Sequence, residues 1–315
     1  MRQPKKITVP GTSDRLMSLN NMKNNLHSKK DVRQMLHSRD LHFKKSLGQN
    51  FLTDERVLFD IVEAAEVSEH DFVLEIGPGP GVLTRELAKR AARVVAVELD
   101  RDIIQLLSEN IAEYDNVQII NKDILKVDLE ELCREYFEGK PFKVIANLPY
   151  YITTPIVMKL LEGKTKIEHI VIMIQKEVAE RLTAKPGTKD FGAISLSVNY
   201  YADAHIVRLV PPEAFVPAPK VFSAVLKISV LDEPRVKVSD EKYLFRLIKA
   251  SFSKRRKTFL NSISGENGLC ITKEEAKEVL SELGFSDNIR GETLSLVQFA
   301  QISDEFSEKV RAKNC

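Results

Sequence analysis

Three groups of residues in this 315-residue chain have the types and spacing to do chemistry: a glycine loop, the carboxylates that follow it, and an Asn-Leu-Pro-Tyr tetrad. The loop is Gly77-Pro-Gly79-Pro-Gly81, directly after the apolar run Phe72 to Ile76. Lacking Cβ atoms, its glycines let the backbone turn sharply and come close to a ligand. Glu98 stands 21 residues after Gly77, at the end of the next apolar run, where a carboxylate can accept from both hydroxyls of a ribose. The pair points to a bound nucleoside.

The spacing also narrows the nucleoside. A dinucleotide site uses G-x-G-x-x-G so that a helix N-terminus can hold a pyrophosphate. Here the spacing is G-x-G-x-G, and Pro78 and Pro80 remove two N–H groups that phosphate oxygens would want. An acidic, donor-poor loop suits S-adenosylmethionine, which carries a sulfonium cation and no phosphate. Glu75 and Asp123 extend the same logic, with Asp123 placed to accept from the adenine amino group and Ile124 against the ring. An aspartate after a strand also serves as a helix cap.

Asn147-Leu148-Pro149-Tyr150 closes the fourth apolar run. The exocyclic amine of adenine is a poor nucleophile because its lone pair is delocalised into the ring. If the Asn147 side-chain oxygen and the Leu148 carbonyl accept its two hydrogens, the nitrogen can pyramidalise and aim that lone pair at a methyl group. Pro149 holds Leu148 extended, and Tyr150 offers a stacking face worth about 1 to 3 kcal/mol per base. The chemistry is then positioning and alignment of dipoles, with no strong general base.

These groups need elements to place them. Apolar runs at 72 to 77, 93 to 99, 117 to 123, 142 to 149 and 169 to 176 alternate with helical stretches such as Val82 to Ala92 and Ile103 to Ile111. Short buried strands separated by such helices predict a doubly wound α/β sheet, mainly parallel, with right-handed crossovers. Loops at the carboxyl ends of its strands would hold the ligand. Thr53 and Asp54 can cap a preceding helix carrying Val57, Leu58, Ile61 and Val62. VFSAVLKISV, from Val221, closes the sheet.

Beyond Pro234 the pattern is helical: Tyr243 to Ser251, Lys254 to Ile263, a third helix opened by the Thr272 to Glu275 capping box, and Arg290 to Lys309. The expected division is a basic, flexible leader over 1–40, a catalytic domain over 41–232 and a small all-α domain over 233–315. The leader offers one weak helical turn at Val32, Met35 and Leu36; an ordered RNA-binding arm and extra residues ahead of a start at Met17 or Met22 are both open readings of it.

Net charge is only +2, which by itself predicts no affinity for polyanions. The average is a cancellation, because residues 1–45 carry +8 and the remainder −6. Such asymmetry suggests a nucleic-acid partner. Lys44 and Lys45, and the run Lys254-Arg255-Arg256-Lys257, are candidate phosphate contacts. Cys133, Cys270 and Cys315 lack the spacing of a zinc site or a disulfide scaffold, so no metal is expected. With no apolar run long enough to span a bilayer and no secretory signal, the expectation is a cytoplasmic protein in a reducing compartment, with no membrane partner.

LGQNFL (Leu47 to Leu52), LEIGPGPGVLT, VELD, NLPYYITTP and FVPAPKVFSAV resemble, in order and spacing, the KsgA-type ribosomal RNA adenine dimethyltransferases. The resemblance runs from about Phe43 to about Phe299. It implies a class I, Rossmann-like methyltransferase fold with a seven-stranded sheet and a small helical C-terminal domain, acting as a monomer in ribosome biogenesis. The implied reaction is dimethylation of N6 on two adjacent adenosines in the 3′-terminal hairpin loop of small-subunit (16S) rRNA, in an immature 30S subunit. Carried over by position, Asn50, Leu52, Gly77, Glu98, Asp123 and Asn147 would contact S-adenosylmethionine, Asn147 to Tyr150 would grip the adenine, and Phe215 would stack it from the other side. Phe222 departs from the pattern, since relatives usually have Asp after Pro-Lys-Val. Three alternatives are an Erm-type large-subunit rRNA methyltransferase, a non-catalytic assembly factor, and a nicotinamide oxidoreductase, the last opposed by the glycine spacing.

Overall fold

The computed structural model describes residues 29–37, 44, 47–163, 165–254 and 256–313. Most of the basic leader, with Lys45 and Arg255, therefore lies outside the described residues. Within it, Lys29–His37 forms helix α1, whose Val32 is buried.

Seven strands build one sheet: β2 (Phe72–Ile76), β3 (Arg93–Glu98), β4 (Val117–Asn121), β5 (Phe142–Asn147), β6 (Ile167–Gln175), β7 (Ala202–Val210) and β9 (Ser223–Val230). Their order is β4-β3-β2-β5-β6-β9-β7. Pairings among β2 to β6 are parallel, whereas β9 runs antiparallel to both β6 and β7. The central strands bury nearly every residue because helices cover both faces, which is why they read as unbroken apolar runs. One face packs Leu74, Val95, Val144 and Ile172 with Phe137 and Phe142; the other packs Val73, Val94, Ile145 and Met173. A ribbon of two residues per strand, β1 (Phe51–Leu52) against β8 (Phe215–Val216), lies beside the sheet.

Side-chain caps set the helices as the residue types demand. Asp54 accepts from the Arg56 N–H to start α2 (Glu55–Ala65), and Asp100 accepts from the Asp102 N–H to start α4 (Arg101–Asn110). Between them α3 (Val82–Ala88) begins straight from the glycine loop. Then come α5 (Leu129–Phe137), α6 (Thr153–Glu162), α7 (Lys176–Leu182) and α8 (Ala193–Tyr201). The last part is wholly helical, with α9 (Glu241–Phe252), α10 (Phe259–Ile263), α11 (Lys273–Glu282) and α12 (Leu296–Lys313). Its core includes Leu244, Leu247, Phe259, Phe299 and Phe306, and draws in Phe191, Leu196 and Tyr200 from the segment before β7. The Tyr200 and Tyr201 hydroxyls both donate to Glu241, so this helical part is tied to α8 by apolar and polar contacts together.

Two expectations change, and one strand is added. Lys254, Arg256 and Lys257 do not open a helix: α10 starts after Thr258, whose hydroxyl accepts from Asn261 N–H, leaving these three residues in the connecting turn. The last helix starts at Leu296 rather than Arg290, because Ser295 and Gln298 exchange hydrogen bonds at its entry while Gly291–Thr293 forms a separate short turn. Edge strand β7 was not legible, since Arg208 points inward to pair with Asp60 while Val207 and Leu209 are exposed, across a register shift between Ile206 and Arg208. That inverts the alternation by which a half-buried strand is recognised.

Candidate active site

The glycine loop follows β2 and the tetrad follows β5, and these strands are neighbours, with Ile76 paired to Ala146. The order of connection reverses between them, at the edge where open α/β sheets bind ligands. Two of the loop glycines are required by what touches them. Gly79 sits at φ +56°, and a Cβ there would lie 2.9 Å from the Phe51 ring; Gly81 sits at φ +94°, where a Cβ would meet Leu107 at 2.8 Å. The Asn110 amide donates to the Pro80 carbonyl at 2.8 Å and fixes the loop from behind.

Lys44 and residues 47 to 52 form a strap over this loop. The Asn147 amide nitrogen donates to the Asn50 carbonyl at 2.9 Å, and the Gln49 amide to Asp100 at 2.7 Å. The Lys44 ammonium bridges Asp100 and Asp102, 2.6 Å from each. Lys44 is thus no free phosphate contact. Two carboxylates at the start of α4 attract it, and their hydrogen bonds raise its pKa above the usual lysine value.

Between strap, loop and strand ends lies a cleft, open to solvent on one side and lined by Asn50, Phe51, Gly77, Gly79, Glu98, Asp123, Ile124, Pro149 and Tyr151 among others. Beneath the loop an adjoining hollow is lined by Leu52, Glu75, Gly77, Pro78, Pro80 and Asn147. The expected cofactor residues therefore converge. Glu98 is buried and accepts from the N–H groups of Gly79 and Asp100; burial raises its pKa, opposed by those two donors. Asp123 acts as a cap, its Oδ1 accepting from Leu125 N–H, and it also lines the cleft. Glu75 is fully buried with Oε2 unpartnered, and burial pushes its pKa up to about 8, helped by the Glu98 charge and opposed by the Thr84 hydroxyl.

The tetrad is fixed by hydrogen bonds from both sides. Because the Asn147 amide nitrogen is engaged by Asn50, the side-chain oxygen is the end left for a ligand. Leu148 is buried, and its N–H donates to Met173 at 3.0 Å; its carbonyl accepts no hydrogen bond from a described residue. Pro149 sits at φ −60° and ψ 133°, turning the chain into a short 3-10 segment over Tyr150–Ile152. The Tyr150 hydroxyl pairs with Ser223 at 2.6 Å, fixing a half-buried ring whose burial raises its pKa.

Not every expected residue reaches the cleft. Phe215 is 1% exposed, because pairing of β8 with β1 turns its ring into the core beside Ile61 and Val225; in this structure it presents no face to a base. Lys254, Arg256 and Lys257 are exposed in the turn between α9 and α10. Lining residues that sequence reasoning did not single out include Gln49, Phe51 and Tyr151. The first two belong to the LGQNFL segment, whose role only its fold-back over the loop discloses. Among the described residues no group of His, Cys, Asp or Glu could hold a metal ion, and no helix is long and apolar enough to cross a membrane.

A mainly parallel seven-stranded sheet, with a donor-poor glycine loop at its switch point and an acid at the end of the adjacent strand, defines a class I methyltransferase. The residues fit S-adenosylmethionine, since an unpartnered buried carboxylate and a second buried acid face a site with few donors. The chain belongs to the ribosomal RNA adenine dimethylase family, whose sequence model matches residues 40–308. It is 51% identical over 268 residues to ribosomal RNA small subunit methyltransferase A of Alkaliphilus metalliredigens, covering 85% of this chain and 93% of that one. The protein of the same name from Clostridioides difficile is 45% identical over 288 residues, 91% and 99% of the two chains. Among solved structures, a dimethyladenosine transferase from Plasmodium falciparum superposes with a TM-score of 0.72 at 25% identity, over 82% of this chain and 98% of that one. The 23S rRNA methyltransferase ErmE gives 0.63 at 25% identity, over 82% and 100%.

Proposed function

We propose that the protein transfers methyl groups from S-adenosylmethionine to N6 of two adjacent adenosines in the 3′-terminal hairpin loop of small-subunit rRNA. The observation that carries this is the fixed Asn147 amide, nitrogen held by Asn50 and oxygen free beside the Leu148 carbonyl, next to the glycine loop. The small-subunit reading over the Erm type is supported by the names of relatives at 45–51% identity, against 25% for ErmE.

When bound, S-adenosylmethionine supplies an electrophilic methyl on a good leaving group. The protein holds it with Asn50, Leu52, Gly77, Asp123 and Asn147, with Glu98 on the ribose and Glu75 as a counter-charge beneath the loop. Asn147 and Leu148 accept the two amine hydrogens and so direct the nitrogen lone pair. Pro149 keeps that carbonyl in place, and Tyr150, anchored by Ser223, stacks on the base. Preorganised acceptors of this kind need no reorganisation during reaction. A loop adenosine is unstacked more cheaply than one in a duplex. Lys254, Arg256 and Lys257 contact rRNA phosphates. The enzyme works as a cytoplasmic monomer on an immature 30S subunit, with a catalytic domain over 41–232 and a helical domain over 233–315.

The test is incubation with labelled S-adenosylmethionine and undermethylated small subunits, followed by mapping of the label. Label on adjacent adenosines of the terminal hairpin is expected; label confined to large-subunit RNA refutes the reading. Asn147→Ala should abolish turnover while retaining rRNA binding, and a wild-type rate would remove its role.

A further inference from the structure

The sheet edge that carries the tetrad also carries an exposed aromatic outside the site described above. Phe222 is 50% exposed and Val221 is 45% exposed, although the next residue, Ser223, is wholly buried and opens β9. Because β9 is antiparallel to β6, Ser223 pairs with Gln175 at the carboxyl end of β6. That is the edge where Asn147 stands opposite Met173. Ser223 also holds the Tyr150 hydroxyl, so Phe222 is one residue from an anchor of the tetrad.

Its backbone is pinned on both sides. The Phe222 carbonyl accepts from Lys176 N–H at 3.0 Å, and Ser223 is locked into the sheet. A solvent-facing ring on a fixed backbone, with two rotatable side-chain bonds, loses little entropy when a flat partner covers it. Tyr151, which lines the cleft, is 57% exposed, and its ring lies 3.4 Å from where a Gly48 Cβ would be. Lys220 beside Phe222 is exposed and makes no ion pair among the described residues, whereas Lys176 is paired with Glu180 at 3.3 Å. An exposed aromatic face next to an unneutralised cation, on the same sheet edge as the tetrad, is complementary to an unpaired nucleotide: ring for the base, ammonium for the phosphate.

We propose that Phe222 is a stacking platform for a nucleotide flanking the target adenosine, with Lys220 on its phosphate. The proposal rests on the rRNA-adenine reading of the site and deepens it. Phe222 is a substrate-positioning residue, since it holds the strand on which the target base is presented.

The experiment compares the Michaelis constant for undermethylated small subunits, kcat, and S-adenosylmethionine affinity for wild type, Phe222→Tyr, Phe222→Leu and Phe222→Asp. Loss of one stacked base corresponds to roughly a fivefold to hundredfold weakening. Phe222→Leu and Phe222→Asp should raise the Michaelis constant within that range and leave cofactor affinity unchanged; Phe222→Tyr should stay within about twofold of wild type. Leucine keeps the apolar area but loses the flat face, so a wild-type constant in Phe222→Leu overturns the platform. A photoreactive benzoylphenylalanine at position 222 should crosslink to rRNA beside the methylated adenosines; crosslinking to a ribosomal protein overturns it. Absence of small-subunit methylation by wild type would instead refute the underlying reading.

Discussion

Replacing Glu75 by Gln isolates the electrostatic work of the cofactor site. In the free protein the Glu75 carboxyl is fully buried and titrates at about 8, against an ordinary 4.5. The folded-state pKa lies above the unfolded one, so the contribution to stability is fully present below about pH 4.5 and is lost as pH rises toward 8. That gap corresponds to about 5 kcal/mol at high pH, an upper bound because opening and water entry relieve a buried charge. Glutamine has nearly the shape of the protonated acid and does not titrate. Urea unfolding should therefore give similar stabilities for Glu75→Gln and wild type at pH 5, and a Gln advantage of several kcal/mol at pH 8.5. With a cation bound, the carboxylate becomes the favoured form, so binding should release a proton between pH 6 and 8. Wild-type affinity for S-adenosylmethionine should then climb by up to about tenfold per pH unit in that window. Calorimetry in two buffers of different ionisation enthalpy reads the released proton directly. A Glu75→Gln stability difference that is the same at both pH values, or cofactor binding with no proton release, would refute the assignment of Glu75 as a buried acid poised for a cation.

Two more perturbations follow from the strap and the loop. Gly79→Ala places a Cβ 2.9 Å from the Phe51 ring at φ +56°; left-handed strain of roughly 1 to 2 kcal/mol plus that clash should weaken cofactor binding by at least about fivefold with the circular dichroism spectrum unchanged, as titration calorimetry would show. Lys44→Gln should speed cofactor release, measured by stopped flow, and leave the salt dependence of rRNA binding intact, whereas joint alanine substitution of Lys254, Arg256 and Lys257 should do the reverse and flatten the salt slope by up to about 3.

How much was legible varied with how local each interaction is. The parallel strands announced themselves because burial on both faces leaves unbroken apolar runs such as Val94 to Val97. The acid and loop could be placed because a strand's end is fixed by its own pattern. Edge strand β7 was hidden because its inward Arg208 is stabilised by Asp60, a partner remote in sequence. Tyr150 and Tyr151 are the same residue type, and only the fold separates their surroundings: the Tyr150 hydroxyl pairs with Ser223, while Tyr151 lines the cleft.

The amino-acid sequence by itself determined the chemistry and the scaffold: glycines that need positive φ, carboxylates at strand ends, an amide followed by proline, and periodicities that specify a doubly wound sheet. These depend on residue type and short spacing, which a chain carries with it into any environment. Only tertiary structure decided which groups are available for that chemistry. Lys44 reads as a free cation until Asp100 and Asp102 are brought to it, Phe215, a base stacker only by resemblance, is turned inward when β1 pairs with β8, and the exposure of the Phe222 ring is set by the fold alone. In each case the deciding neighbour is distant along the chain or is solvent itself, and burial and partnership exist only once the chain has folded.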